Sequence, residues 1–583
     1  MVFIPSNANI PTDLVTFTVK TDGQAINTTW QILQVEVNRE VNRIPSAKII
    51  IADGDVAAQD FTASSSGDFI PGKTVEISAG YHSSETTIFK GIIVKHSIKA
   101  NKNGSSMLII ECRDEIYKMS IGRKNGTFDQ SSDSDILSGI LSGYGLNQSV
   151  EPTTDIHEKI VQYNTTDWDF VNLRAEMNSL FVFVDDGKVE IKKLNPGLPT
   201  VMILSYGSTI LSFEAEIDSR NQFSGTKSQS WDSAVQELLE MEGAYSAGSQ
   251  PGNLSNEDLA NVSGLDFLML RHSGQISDKE LKTWSDAMLN LSRMSKNTGR
   301  LTIEGIAEIK PGHVVELQGL GDRFNGNALV TAVRHEISDG NWLTHLVYGL
   351  RFETFAQHFK ENLQALPASG LVPAVYGLQA GVVTKLENDP ANEHRIKVKL
   401  PAINPDDDGL WARVAVPDAG DNRGFFFRPE IGDEVIVGFM HDDPRNPIML
   451  GMLHSSAKPA PLTASDSNHQ KVFQTRSEMK ISFDDDKKIM EISTPGGYVF
   501  HLDEDKQEVL LQDANNNKFQ MNSDGITIES AGKITLKTSG DVLLEGMNIE
   551  QKATAQMKIS GNAGVEANSS GTMVIKGSIV QIN

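Results

Sequence analysis

A mainly β, multidomain protein is the expectation from this sequence, and three observations carry it. Short apolar or alternating stretches recur along most of the chain, separated by clusters of Gly, Asn, Asp and Ser. Few stretches show a helical period with an N-terminal cap. The end of the chain repeats with a period of eight, too short for a helical repeat and right for one strand per unit.

The 583 residues, at roughly 150 per domain, leave room for about four units that each bury a core. With 39% hydrophobic and 22% charged residues the composition is that of a globular protein, and no apolar run of about 18 residues offers a membrane span. The start, MVFIPSNANI, has no basic segment followed by a long apolar one, so no signal peptide is expected and synthesis is placed in the cytoplasm. Lys plus Arg number 52 against 76 Asp plus Glu, a net charge of -24 that opposes binding to a phosphate backbone and otherwise serves solubility. The single cysteine, Cys112, precludes an intrachain disulfide and a cysteine-built zinc site. Within MLIIECRDEIY it reads as a small core residue rather than a nucleophile.

Strands are expected over 14–20, 29–37, 47–52, 74–79, 87–98 and 107–111. In TTDWDFVNLRAEMNSLFVFVDDGKV, Thr166 is placed to cap a helix with Asp167 and Asp169 in its first turn and Phe170, Leu173 and Met177 on one face. A hairpin over 180–184 and 188–192 follows, turning at DDG. Residues 224–264, rich in Ser, Gly and Asn, read as a long excursion around a short helical run at 233–242. A second helix starts at a Ser277/Glu280 capping box, carries Leu281, Trp284, Met288, Leu289 and Leu291, and is expected to stop at Gly299. Further strands include GNALVTAVRHEIS and NWLTHLVYGL. These pieces make a β-rich hub over 1–360, and a linker is expected over 361–375.

Five closely spaced strands at 378–386, 394–400, 410–416, 432–439 and 448–453 predict a small closed barrel of the oligonucleotide/oligosaccharide-binding (OB) type over 376–460. The acidic turn in FMHDDPRNPIML reads as a corner, since Pro444 and Pro447 cannot donate ladder bonds and Asp and Asn bond local backbone. The run Phe425, Phe426, Phe427 could stack bases, but Asp406, Asp407, Asp408, Asp418 and Asp421 argue against that; core and trimer contact is the plainer reading.

From 461 to 583 the chain alternates without long apolar stretches, and then one row runs through Ile526, Ile534, Val542, Ile549, Met557, Val565 and Met573. A second row, Ile528, Leu536, Leu544, Ile559, Ala567 and Ile575, keeps the same register, and Gln551 interrupts it. An ordinary sheet with accidental spacing is the plainer alternative. A narrow strand per repeat cannot enclose a core and leaves both edges open, so the expected structure is an intertwined triple-stranded β-helix, a trimeric needle whose core is those two rows.

The order of hub, barrel and repetitive tail resembles VgrG, the spike protein of type VI secretion and related contractile injection particles. The hub helix segment quoted above, RFNGNALVTAVRHEIS, WARVAVPDAGDNRGFFFRPEIGDEVIVGFMHDDPRNPIMLGMLH and ISFDDDKKIMEISTPGG carry the resemblance. It implies a homotrimer that caps an Hcp-like hexameric inner tube, sits among baseplate proteins, touches the target membrane transiently on firing, and carries effectors. It further implies a PAAR-repeat tip protein bound at Gly577, Ser578, Ile579, Val580, Gln581, Ile582 and Asn583. No histidine follows His501, which disfavours a histidine-ligated metal tip and favours a separate tip protein. No enzyme, cofactor or metal is expected. The carboxylates Asp484, Asp485 and Asp486, like Asp406 to Asp408, fall in predicted turns without an apolar pocket. A trimeric phage-like tail fibre or receptor-binding protein is the second reading; it shares the β-helix but leaves the hub and barrel motifs unexplained.

Overall fold

Among the described residues, thirteen strands of the N-terminal part of the chain join one mixed sheet. The computed structural model describes residues 14–101, 106–245 and 250–582. The path through the sheet is Ile210–Ile217, Asn297–Glu304, Asn341–Tyr348, Gly326–Ser338, Ile32–Glu40, Ser46–Ala52, Met107–Arg113, Ser84–Lys99, Thr74–Tyr81, Val15–Thr21 and Gln24–Ala25. Val314–Gln318 and Thr200–Ser205 branch from Gly326–Ser338. Segments some 300 residues apart in the chain meet where Ile32–Glu40 pairs with Gly326–Ser338, placing Val35 opposite Ile337. Period-two alternation then buries Val35, Val37, Ile49, Ile51, Ile110 and Cys112 in one core. Burial pushes the Cys112 thiol up to about 12, so it stays protonated and inert, as its setting in the sequence implied.

A second core lies under the helices Asp133–Ser142 and Asp167–Met177, which pack on the hairpin Leu180–Asp185 and Lys188–Lys193. Thr166 does cap its helix, accepting from the Asp169 amide. The face that enters this core, however, is Trp168, Val171 and Ala175; Leu173 and Met177 are half-buried, and Phe170 stacks on Phe128. The DDG turn has a role that its sequence does not announce. Asp185 and Asp186 both bind the guanidinium of Arg39, whose side chain is 5% exposed and whose remaining donors reach the Ile88 carbonyl. Lys310 completes the cluster at 2.6 Å from Asp185, and the Asp114 carboxylate accepts the Gly187 amide. Burial opposes charge on Asp185, but Lys310 and Arg39 hold its carboxyl below the usual range.

Glu176, on the same helix as Trp168, accepts the backbone N–H of Phe355 at 2.9 and 3.0 Å. Burial raises its pKa to about 7, against about 4.3 in an unfolded chain. Between these values the folded state holds the extra proton, so stability falls as pH rises through that window and levels off above about 7. Replacing Glu176 by Gln is therefore expected to raise the hub's stability relative to wild type by on the order of 1–3 kcal/mol at pH 8, and by little at pH 5. Thermal melts at the two pH values check this; an equal effect at both would refute it.

Two expectations fail between residues 224 and 304. Residues 233–242 are not helical: Gly225–Asp232 and Glu237–Glu242 form a hairpin with Trp231 opposite Leu238, and Phe267–His272 adds a parallel strand. The small residues Thr226, Ser228 and Ser230 let this sheet approach the helix Asp278–Met294, where Thr226 and Ser228 donate to the Ser285 and Leu281 carbonyls. That tertiary contact overrides a local helical tendency. The helix itself ends at Met294 with Ser295 as its cap, and Gly299 lies in the strand Asn297–Glu304 beneath the Tyr348 ring, where a Cβ would come within 2.6 Å of it.

The chain divides into two units, Met1–Val375 with His441–Pro444, and Tyr376–Met440 with Arg445–Asn583. In the second, Gln379–Lys385, Ile396–Lys399, Leu410–Val414, Pro447–Met452 and Glu434–Phe439 close into a five-stranded barrel around Val383, Val398, Ala412, Val435 and Met449. The acidic turn is a corner: His441 and Asp442 take left-handed φ, and the Met440 N–H donates to the Asn446 carbonyl. No described helix is long and apolar enough to cross a membrane.

Candidate functional site: an uncovered apolar face

After the barrel, seven strands from Gln470–Gln474 to Gly525–Glu529 form an antiparallel meander. Its turns are made by the acidic clusters. Asp484 accepts the Lys487 amide, Asp503 the Lys506 amide, and Asp513 the amides of Asn515 and Asn517. Asp484 thus ends a strand and Asp485 and Asp486 lie in the turn that follows, and no described group of three or more His, Cys, Asp or Glu is placed to hold a metal ion.

The register makes the meander two-faced. Directly opposite one another across successive strands stand Phe473, Ile481, Ile492, Phe500, Leu511, Phe519 and Ile528. Two residues away, on the same face, Phe483, Met490, Leu502, Val509, Met521 and Ile526 form a second row headed by Lys471. The reverse face is largely polar, with Ser482, Glu491, His501, Leu510, Gln520 and Thr527 in line and a hydrogen bond of 3.1 Å between His501 and Glu491. A sheet with one apolar face normally packs that face on something. Here it is open: Phe473, Phe483, Ile492 and Ile526 are all exposed, and Leu511 is 56% exposed.

The two rows lead straight into the rows of the repeat, because Ile526 and Ile528 belong to both. Those two residues pair with Met521 and Phe519 within the meander. Beyond Glu529 the described residues form no strand, and Ile534, Leu536, Val542, Leu544, Ile549, Met557, Ile559, Val565, Met573 and Ile575 are exposed, Leu536 at 75%. Gly577, Ser578, Ile579, Val580, Gln581 and Ile582 are exposed as well, and Asn583 lies outside the described residues.

At its other end the face reaches the barrel. Phe427 meets Phe473 edge-on, with ring centroids 4.7 Å apart, and Phe425 lies 6.1 Å from Phe427. All three phenylalanines of the run are exposed, so the core reading of Phe425 to Phe427 fails for a single chain. Phe426 points elsewhere, under the Arg428 guanidinium at 4.9 Å. The meander rows escaped the sequence reading because only the turn lengths, which set the register, reveal which of the alternating residues share a face.

A family model described as the Alg8 N-terminal domain matches residues 11–339. A second, the type VI secretion system/phage-baseplate injector OB domain, matches residues 379–454, the barrel. The type VI secretion system spike protein VgrG4b of Pseudomonas aeruginosa is 25% identical over 360 residues, 55% of this chain and 42% of that protein. VgrG5 of the same organism is 34% identical over 142 residues, 21% of this chain and 18% of that protein. The chain thus matches less than half the length of either relative. Among solved structures, the 43 kDa tail protein of prophage MuSo2 from Shewanella oneidensis aligns over 58% of this chain and 98% of its own, at 11% identity and a TM-score of 0.44. The resemblance to VgrG spike proteins drawn from the motifs is borne out by the curated relatives and the barrel match.

Proposed function

Starting from a chain that belongs to the Alg8 N-terminal domain family, matched over residues 11–339, we propose that it is the trimeric hub and spike of a contractile injection system. The observation that carries this reading is the pair of apolar rows that cross seven strands and run on into the repeat; in the meander their side chains are exposed or half-buried, none fully buried, among the described residues. Two further copies winding about a common axis cover the rows and pair the open strands, and so complete an intertwined β-helix. In this reading residues 1–360 are the hub, 361–375 the linker, 376–460 the OB barrel and 461–583 the spike.

The mechanism is mechanical. The hub caps the inner tube, an Hcp-like hexamer, within a baseplate; sheath contraction drives tube and spike outward; and the rigid needle concentrates force on the target membrane. A PAAR-repeat tip protein seats on Gly577 to Asn583, and effectors travel with the spike. The chain is made in the cytoplasm and delivered on firing. No step needs bond-making chemistry. A phage-like tail fibre fits less well, since the barrel match over 379–454 is to an injector domain.

The test is the mass of the full chain in solution by light scattering, with its sedimentation shape. A mass three times the 63.7 kDa of one chain and an elongated particle are expected. A compact monomer would overturn the reading.

A further inference from the structure

The repeat has two kinds of break. The units at 541–547, DVLLEGM, and 572–578, TMVIKGS, have seven residues instead of eight, with Gly546 and Gly577 at the same place in each. After the second, Val580 and Ile582 resume the two rows. The other break is Gln551, which stands in a row whose neighbours are Leu544 and Ile559 and which is exposed in the single chain.

A strictly uniform apolar repeat does not specify how its copies align. If one copy slides by a whole unit, apolar residues still meet apolar residues. A single polar residue removes that degeneracy. With three copies level, three Gln551 amides meet at the axis, and each carries both donors and an acceptor, so they can bond one another in a ring. With one copy displaced, its amide faces Leu544 or Ile559 of the others, and the remaining two lose a partner, leaving buried polar groups unsatisfied. A lone Asn in the apolar seam of a coiled coil fixes register by the same logic.

We propose that Gln551 is the register key of the tail, holding the three copies level at some cost in apolar contact. The inference rests on the three-copy reading above. The shortened units act with it, because their corners coincide only when the copies are level.

The experiment places a reporter, Ala567→Cys, on the same row in the full-length chain. Cys112 is fully buried, with its thiol pushed up to about 12, and does not compete. Chains are unfolded, refolded, oxidised with glutathione disulfide, and scored for disulfide-linked pairs on a non-reducing gel, with mass measured in parallel. The reporter chain is expected to give a three-copy mass and mostly linked pairs. Adding Gln551→Leu is expected to leave the mass unchanged and cut the linked fraction at least threefold, and Gln551→Asn in its place is expected to restore most of it. An unchanged linked fraction with Gln551→Leu overturns the inference, as does loss of the three-copy mass in that variant, or a three-copy reporter chain that gives no linked pairs. A reporter chain of single-copy mass overturns the three-copy reading itself.

Discussion

On the three-copy reading proposed above, the double substitution Phe500→Asp with Leu511→Asp is expected to leave only single chains. The two residues are direct cross-strand partners in the middle of the first apolar row. Burying a side chain of this size contributes about 2 kcal/mol, and each row repeats that gain along the whole tail. Two aspartates per chain bring six carboxylates into the same interior, where each desolvated charge costs several kcal/mol (roughly, and without a cation to offset it). The loss therefore counts twice, as missing apolar contact and as unpaired charge. Light scattering should read a mass near 63.7 kDa, while the hub, which has its own cores, keeps its circular dichroism. Glu491→Gln, on the polar face of the same sheet, is the matched control and should leave the mass unchanged. A three-copy mass in the double variant would mean that this face is not where the copies meet.

The second large effect is expected at Arg39. Its guanidinium is almost wholly buried and joins the strand Ile32–Glu40 to the turn at Asp185 and Asp186 and to the Ile88 carbonyl. Arg39→Met keeps most of the stem's packing but leaves two carboxylates facing a cavity without their cation. Removing one partner of a buried pair costs about 3–5 kcal/mol. Here Asp185 is 40% exposed and retains Lys310, so a loss of about 2–4 kcal/mol from the hub's unfolding transition in urea is expected. Because the cost lies in the orphaned charge, adding Asp185→Asn and Asp186→Asn to Arg39→Met should recover at least half of it. A hub within about 0.5 kcal/mol of wild type after Arg39→Met alone would show that the clamp is incidental.

How much of the fold was legible depends on how local its cause is. The cap at Thr166, the DDG turn, the five barrel strands and the corner at His441 and Asp442 follow from interactions within a few residues, and each stands where the sequence placed it. The helix expected at 233–242 failed because its alternative, a hairpin resting on Asp278–Met294, needs partners some 40 residues further along the chain. Gly299 departs from expectation for a related reason: its place in the sequence predicts a helix stop, whereas in the fold it is the only residue type that leaves room for the Tyr348 ring.

The candidate site divides in the same way. The sequence by itself determined that the tail carries two apolar rows, since their spacing of eight, the slip of seven and the interruption at Gln551 are properties of a linear pattern. It also determined the character of the barrel and the inertness of Cys112. What only the tertiary structure decided is which side chains stand side by side: that Phe473 and Ile528 end one continuous row across seven strands, that Phe427 extends it, and that Arg39 is held by a turn about 150 residues away. The reason is physical. A strand's alternation assigns each residue to one of two faces, but the pairing of strands, set by turn geometry and by hydrogen bonds between distant segments, decides which of those faces become a single surface.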